Sequence, residues 1–311
     1  MEVCPDGIDF EQWTNFRNKY FSANNLEEHD FPPQIDIELN SSCNMTCPFC
    51  IHGYGERPKS ELTLEQFKTV VNEAVKEGAR GLKLNYINEP MLRKDFEACI
   101  SYAKQAGMLN VYFVTNGTLL TKTRRDRLLN SGVTKVFISV DATTEEIYNK
   151  QRLSGKFKKV VSNVNALIDE RNALDKRYPL IRVSFLINQI NQHQENEFRN
   201  AWSGRADLIA FQKMNELPSE DTGLTIKLSD EELEKQRKEY RCSFPFKQLV
   251  IDSDGDISPC CKLGGQNLAI GNIKEMTLKE AWDCDQSKEF RTMHREGRWH
   301  ENEICKRCIE E

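Results

Sequence analysis

The sequence predicts an α/β protein built around a parallel sheet. From residue 35 to about residue 211, strand-like and helix-like segments alternate, and each of the first five strands is followed by a helix. Such alternation is typical of parallel strands joined by crossover helices. The strands are rich in Val, Ile, Leu and Phe without strict alternation, which indicates burial on both faces. The pattern leaves open whether the sheet is open or curved into part of a barrel.

The predicted elements follow one another closely. The strands span residues 35–40, 81–87, 110–117, 135–141, 181–188 and 206–212. The helices span residues 63–78, 93–107, 122–132, 157–174 and 193–202. Gly78 and Gly107 are predicted to close two of these helices. Ligands of such sheets bind at the carboxyl ends of the strands, so we look for a site there.

Four segments are predicted along the chain. Residues 1–34 form an N-terminal extension with aromatic residues spaced for packing onto the main body, namely Phe10, Trp13, Phe16, Tyr20 and Phe21. Residues 35–212 form the α/β region, and residues 213–241 are a polar linker with a solvated helix. Residues 242–311 are short and cysteine-rich, with a hairpin around the Asp-Gly turn of "FKQLVIDSDGDISP".

Composition and charge limit the function classes. The 311 residues carry a net charge of −5, which argues against a nucleic-acid partner because such proteins usually present a basic face. No apolar run approaches the roughly 20 residues of a membrane span. The N-terminus lacks the basic start and apolar stretch of a signal peptide. We therefore expect a cytoplasmic protein without a membrane partner.

Eleven cysteines, an odd number, are expected to bind metal or do chemistry in a reducing compartment rather than form disulfides. The first cysteine set, Cys43, Cys47 and Cys50 of "CNMTCPFC", follows the first strand with the spacing C-x3-C-x2-C. Structural zinc takes four protein ligands, with His52 as the nearby fourth candidate, and a three-thiolate catalytic zinc keeps one position open. Three thiolates also suit an iron–sulfur cluster with one iron open to substrate.

A second cysteine set lies near the C-terminus and consists of Cys242, Cys260, Cys305 and Cys308. Gly255 lies between the first two in the predicted hairpin turn, and the last two form C-x2-C. Four thiolates satisfy a closed 4Fe–4S cluster and a structural zinc ion equally well. Spacing alone leaves both metals open.

The first cysteine set resembles the hallmark of the radical S-adenosylmethionine (SAM) superfamily, in which an aromatic residue often precedes the last cysteine, as Phe49 does here. The resemblance implies a partial (β/α)6 TIM-like barrel over residues 35–212. It also implies that Cys43, Cys47 and Cys50 hold a 4Fe–4S cluster with an open iron for SAM.

Later segments match the same superfamily at successive strand ends. "INEPMLRKDF" resembles its Gly-Gly-Glu-Pro turn, with Ile87 and Asn88 in place of the glycines. "TNGTLL" and "ISVDA" match two further strand ends. The resemblance implies that six residues face SAM or the substrate: Phe49, Glu89, Asn116, Ser139, Asp141 and Asn188.

The second cysteine set looks like the auxiliary-cluster domain of SPASM and twitch radical enzymes. The chain carries no further cysteines after its final C-x2-C, which favours the shorter twitch form with one auxiliary 4Fe–4S cluster. Cys261 and Cys284 remain. Each is a packing residue, a replacement ligand or a thiol that donates a hydrogen atom to a substrate radical.

The resemblance implies an enzyme that cleaves SAM reductively to a 5′-deoxyadenosyl radical. We expect it to abstract hydrogen from a small, polar, carbohydrate-like substrate such as a sugar or aminocyclitol, giving dehydrogenation or epimerisation. Modification of a ribosomally made peptide is an alternative. The alternative of another class is a non-enzymatic zinc or iron–sulfur binding module. A flavodoxin- or ferredoxin-type reductant is the expected protein partner.

Overall fold

The computed structural model describes residues 4–54, 58–153, 156–214, 224, 226, 229–261 and 268–310. Its strands are β1 (Gln34–Ile37), β2 (Gly81–Lys83), β3 (Asn110–Thr115), β4 (Lys135–Ser139), β5 (Leu180–Ile187), β6 (Leu208–Lys213), β7 (Gln248–Ile251), β8 (Asp256–Ser258) and β9 (Gly271–Asn272).

The α-helices cover the sheet and its C-terminal extension. They are α1 (Phe10–Asn24), α2 (Ile51–Tyr54), α3 (Leu64–Lys76), α4 (Phe96–Ala106), α5 (Lys122–Asn130), α6 (Glu145–Arg152), α7 (Phe157–Ala173), α8 (Glu195–Trp202), α9 (Asp230–Glu239), α10 (Phe244–Lys247), α11 (Leu278–Asp283), α12 (Asp285–Glu296) and α13 (Glu303–Glu310). Among the described helices, none has both the length and the apolar character needed to cross a bilayer.

All strands belong to one sheet, in the order β6-β5-β4-β3-β2-β1-β7-β8-β9. Neighbouring strands from β6 through β1 to β7 are parallel, whereas β8 and β9 run antiparallel to their neighbours. Six sequential parallel strands with helical crossovers are consistent with a partial (β/α)6 barrel. The predicted α/β class is therefore confirmed.

The two faces of the strands differ sharply in polarity. Because successive residues point to opposite faces, one face carries buried apolar side chains that pack under the helices, as Ile35 does on β1. The other face carries Asp36, Lys83 and Tyr112 in register across β1, β2 and β3. Lys83 Nζ lies 3.4 Å from Asp36 Oδ2. This second face, which points into the partial barrel, is thus more polar than the interior of a closed barrel, where layers of Val, Ile and Leu side chains predominate.

The second strand is shorter than predicted, and helix α6 is among the helices that the sequence did not predict. β2 ends at Lys83 because the side chain of Asn85 turns toward β3 and accepts from the Val114 N–H across 2.9 Å. The unpredicted helix α6 starts at Thr144, whose Oγ1 accepts from the Ile147 N–H across 3.4 Å. This helix carries few apolar residues, so its helical periodicity in the sequence is weak.

Helix α1 packs against the N-terminal ends of the strands through part of its aromatic set. Trp13 and Phe16 are buried, and a Cβ atom on Gly81 of β2 would lie 3.2 Å from the Phe16 ring. Phe10 and Phe21 are 72% and 48% exposed. The extension thus packs onto the body through Trp13 and Phe16, whereas Phe10 and Phe21 are exposed.

The predicted C-terminal hairpin is confirmed, and it joins the barrel sheet. β7 pairs with β1 over four residues, and β8 returns antiparallel after a turn in which Gly255 has a φ of 93°. The buried Glu38, one residue beyond β1, accepts from Ser253 Oγ of this turn across 3.1 Å. The C-terminal region therefore contacts the strand that leads into the first cysteine set.

Candidate active site between two cysteine sets

The first cysteine set lies in the loop after β1, at the carboxyl edge of the parallel strands. Cys43, Cys47 and Cys50 all line one cavity of about 600 Å³, called the large cavity below. Volumes of about 300–1,000 Å³ are typical of small-molecule sites. Burial raises the pKa of Cys43 to about 11, so metal binding at this thiol has to release its proton.

Gly53 and Asn44 hold the loop in shape. A Cβ atom on Gly53 would lie 2.1 Å from the carbonyl oxygen of Cys47, so only glycine fits this backbone. Asn44 Nδ2 donates to Thr118 Oγ1 across 3.0 Å, and Asn44 Oδ1 accepts from Asn116 Nδ2 across 2.8 Å. The loop is thereby fastened to the turn after β3.

Glu89 lines the large cavity with a buried carboxylate. The carboxylate accepts from Thr115 Oγ1 and from the Asn116 backbone N–H, both across 2.8 Å. A third bond comes from the Met91 N–H across 3.1 Å. Burial raises the pKa of Glu89 in spite of these bonds. Because a carboxylate offers about four acceptor sites, one remains for a donor such as an amino group.

The Ile87-Asn88 pair, which replaces two glycines of the family turn, is held by side chains. The Ile87 N–H donates to Glu38 Oε1 across 2.9 Å, and the Ile87 carbonyl oxygen lies 2.7 Å from His52 Nε2. Asn88 Oδ1 accepts from the Tyr86 N–H across 3.1 Å. These bonds fix the turn without glycines, and the glutamate that follows still reaches the cavity.

The second cysteine set surrounds a separate small cavity. Cys242 precedes β7, Cys260 follows β8, and Cys305 and Cys308 lie one turn apart on α13; all four line this small cavity. Burial raises the pKa of Cys242 to about 11 and that of Cys305 to about 12. His294 also lines the small cavity, and burial lowers its pKa to about 4. The imidazole is therefore neutral at pH 7.

Two cysteines of the C-terminal region reach the large cavity. Cys308 lines both cavities, and Cys261 lines the large one. Cysteines of both sets therefore line a single cavity, which is large enough for a small molecule.

The donor chemistry of both sets fits iron–sulfur clusters. Within the described part of the chain, no three His, Cys, Asp or Glu side chains converge on the position of one metal ion. The thiols of each set are instead distributed around a cavity. Cysteine thiolates are the usual ligands of iron–sulfur clusters, and three of them leave one iron of a four-iron cluster open.

Comparison with protein families agrees with this donor set. The model of the Radical SAM superfamily matches residues 37–174, and that of SPASM, an iron–sulfur cluster-binding domain, matches residues 242–309. The chain contains a radical SAM domain followed by a SPASM domain. Its two domains imply 4Fe–4S clusters and SAM as cofactors, as the sequence predicted.

Similar proteins share this two-part layout. The radical SAM chain is 23% identical over 283 residues to the S-adenosyl-L-methionine-dependent 2-deoxy-scyllo-inosamine dehydrogenase of Niallia circulans, covering 88% of the chain and 91% of that relative. BtrN in complex with AdoMet and 2-DOIA is similar with a TM-score of 0.59 and 18% identity, covering 92% and 97% of the two chains. Streptococcus suis SuiB bound to the precursor peptide SuiA is similar with a TM-score of 0.61 and 15% sequence identity. The match covers 93% of this chain and 75% of SuiB. The two structural likenesses show a common fold.

The structure brings four of the six residues expected to face SAM or the substrate to the large cavity: Phe49, Glu89, Asn116 and Ser139. Asn188 does not line it. Its side chain is fully buried, and its amide exchanges two hydrogen bonds with that of Gln151, across 2.8 and 3.1 Å. Because these bonds pair the Asn188 amide with Gln151 inside the barrel, we assign Asn188 a structural role.

Asp141 reaches the cavity only through Arg152, which the sequence analysis missed. The Asp141 carboxylate pairs with the Arg152 guanidinium and accepts from the Leu186 N–H across 2.7 Å. Arg152 lines the large cavity, with Nη1 3.7 Å from Cys47 Sγ and its guanidinium 5.5 Å from the Phe49 ring centre. Arg152 ends α6, the helix whose weak periodicity hid it in the sequence.

The two cysteines considered as hydrogen-atom donors have different surroundings. Cys261 lines the large cavity of the radical SAM chain. Cys284 is the N-cap of α12, where its Sγ accepts from the Ser287 N–H across 3.4 Å and donates to the Ala281 carbonyl across 3.3 Å. Cys284 lines neither cavity, so the structure gives it a capping role.

Proposed function

We propose that this radical SAM enzyme abstracts hydrogen from a small, polar, carbohydrate-like substrate and forms a dehydrogenated or epimerised product. The observation that carries the proposal is the large cavity, which is lined by the whole first cysteine set and also by Cys261 and Cys308. A substrate in this cavity would lie beside cysteines of both sets.

The chain supplies separate groups for the two clusters and for SAM. Cys43, Cys47 and Cys50 would hold the first cluster, which when bound supplies the electron for reductive cleavage of SAM to the 5′-deoxyadenosyl radical. The second cysteine set would hold the auxiliary cluster. Glu89 has an acceptor site for the SAM amino group, and Arg152 places a positive charge against Cys47.

The lining of the large cavity favours a polyhydroxylated substrate. Several amide or hydroxyl side chains line it, among them those of Asn85, Asn88, Asn116, Ser139 and Gln212. Such groups both donate to and accept from hydroxyls. The similar dehydrogenase acts, by its name, on 2-deoxy-scyllo-inosamine, an aminocyclitol. These observations support a sugar or cyclitol as the substrate.

Dehydrogenation and epimerisation make different demands on the cavity. Oxidation of an alcohol carbon removes two electrons, and abstraction of one hydrogen atom accounts for one of them. The other needs a one-electron acceptor near the substrate, and the second cysteine set meets the cavity at Cys308. Epimerisation instead needs a hydrogen-atom donor, and Cys261 is the cavity thiol outside both cysteine sets.

The first test is anaerobic reconstitution with iron and sulfide, with dithionite in place of the expected flavodoxin- or ferredoxin-type reductant. We expect about eight irons per chain for two four-iron clusters and slow formation of 5′-deoxyadenosine from SAM. About four irons with SAM cleavage would remove the auxiliary cluster from the proposal. If the protein binds zinc instead of iron and does not cleave SAM, the proposal is replaced by that of a non-enzymatic binding module.

The second test separates the products. Aminocyclitols and sugars are incubated with the reconstituted enzyme in deuterated water, and the products are examined by mass spectrometry. Epimerisation by a cysteine thiol introduces one solvent deuterium and is lost in Cys261→Ala, whereas dehydrogenation removes two mass units and withstands that substitution. Cys284→Ala is the matched control because Cys284 lines neither cavity.

A peptide substrate is the second candidate function, favoured by the fold shared with SuiB bound to its precursor peptide. The same assay decides between the two. Stimulation of 5′-deoxyadenosine formation by cyclitols or sugars supports the first candidate. Stimulation by peptides alone replaces it with the second.

A further inference from the structure

One polar contact within the small cavity is left unused by the function proposed so far. His294, near the end of α12, is 1% exposed, and its Nε2 lies 3.4 Å from Cys305 Sγ. Its surroundings are apolar, with the Phe290 ring 4.8 Å away and Trp299 in the same buried cluster as Cys305. A polar group is costly in such a place unless it is hydrogen-bonded.

The direction of this hydrogen bond follows from the chemistry of the sulfur. A cysteine that binds a metal is a thiolate and carries no proton, so the imidazole has to be the donor. Nε2 is the ring nitrogen next to the sulfur, and His294 Nδ1 has no hydrogen-bond partner among the described residues. The N–H on Nε2 therefore points at Cys305.

We propose that His294 sets the reduction potential of the auxiliary cluster by donating an N–H···S hydrogen bond to Cys305. The inference rests on the proposed function, which places Cys305 among the ligands of that cluster. A donor stabilises the more negative sulfur of the reduced cluster, so the bond raises the potential. His294 is a positioning residue that makes the cluster a better electron acceptor.

An electron acceptor next to the cavity has to accept an electron readily, and His294 is a buried donor that serves this purpose. Water cannot replace it, because Cys305 and His294 are 7% and 1% exposed. Removal of the imidazole therefore leaves the sulfur in apolar surroundings, and we expect the cluster to become harder to reduce.

The test is a potentiometric titration of the reconstituted holoenzyme, followed by electron paramagnetic resonance of the auxiliary cluster. In His294→Leu we expect the ratio of reduced to oxidised auxiliary cluster at a fixed potential to fall about tenfold, which is about 59 mV for a one-electron couple. His294→Gln, whose amide N–H replaces Nε2–H, should recover most of the change. His300→Leu, at an exposed position, is the matched control.

The outcomes separate this inference from the proposed function. An unchanged ratio in His294→Leu, in protein that retains about eight irons, overturns the inference and leaves the proposed function intact. If the Leu variant loses iron, His294→Asn, whose shorter amide falls away from Cys305, takes its place. If the Gln and Asn variants also lose iron, His294 is needed to hold the cluster, as a ligand would be, and the inference is overturned. Wild-type protein without an auxiliary cluster contradicts the proposed function itself.

Discussion

Nη1 of Arg152 donates to the sulfur of Cys47 across 3.7 Å, so a guanidinium contacts one thiol of the first cysteine set. The same guanidinium pairs with Asp141, which is 1% exposed. A buried carboxylate therefore holds a positive charge against a cluster ligand, and the two residues are expected to act as a unit.

Replacing Arg152 by methionine should destabilise the protein, because it leaves Asp141 buried without its partner. Breaking such a pair from one side costs about 3–5 kcal/mol. We expect a loss of this size in the free energy of unfolding, measured by urea denaturation of the metal-free protein. The double variant Arg152→Met with Asp141→Asn should recover part of it. Equal losses in the single and double variants would show that the unpaired Asp141 carboxylate is not the source of the destabilisation.

Gly53→Ala should disrupt the first cluster selectively. The new Cβ would lie 2.1 Å from the Cys47 carbonyl oxygen and 2.7 Å from its carbon, so the loop has to move. We expect iron per chain to fall from about eight to about four on reconstitution, with SAM cleavage abolished. Gly204→Ala is the control for backbone strain outside the cysteine loop: its φ of 72° disfavours alanine, but a Cβ there meets no atom within 4 Å, so the iron content should stay at about eight. Full iron content in Gly53→Ala would contradict the prediction.

Glu89→Gln should weaken SAM binding without loss of iron. The amide keeps one acceptor oxygen but turns an NH2 group toward one of the two donors, Thr115 or Asn116. It also loses the hydrogen bond that the charged carboxylate would accept from the SAM amino group. Such bonds contribute about 1.5–3 kcal/mol, so we expect roughly 10- to 150-fold weaker binding in equilibrium dialysis. Glu73→Gln is a control of the same chemistry, since Glu73 accepts from the Leu278 N–H away from the cavity. Equal SAM affinity in Glu89→Gln and wild type would exclude Glu89 from the SAM site.

Lys104 should make stability rise with pH above pH 8. Burial lowers its pKa to about 8, while an unfolded chain keeps the lysine proton up to about pH 10.4. Between these values the unfolded chain binds more protons, so the free energy of unfolding increases by at most about 1.4 kcal/mol per pH unit.

The Lys104 contribution has to be measured as a difference. The buried Cys43, whose raised pKa of about 11 acts in the opposite sense, titrates in the same range. Urea denaturation of wild type and Lys104→Met between pH 8 and pH 10 isolates the lysine. Parallel pH profiles for the two proteins would show that Lys104 is not responsible.

Much of the fold was predictable because the strands are apolar and the helices amphipathic. The helix predicted over residues 63–78 was found as Leu64–Lys76, and it begins with a capping box between Thr63 and Gln66. The end of β2 was not predictable, because it depends on a hydrogen bond from Val114 to the Asn85 side chain in another loop. Local patterns do not contain such contacts.

The site was predictable where spacing carries the chemistry and unpredictable where tertiary contacts do. The two cysteine sets could be recognised from their spacings. Arg152 and His294 could not, since each matters only through the sulfur that it contacts, 105 and 11 positions away along the chain. Cys261 and Cys284 look alike in sequence, and only packing separates a cavity thiol from a helix cap.

The pairing of β1 with β7 has a consequence for how the protein is made. Gln34 lies opposite Gln248, so the strand that leads into the first cysteine set gains this neighbour only after most of the chain has been synthesised. Contacts between such distant segments form late because long loops have to close first. The nascent barrel therefore keeps one side of its first strand unpaired during translation.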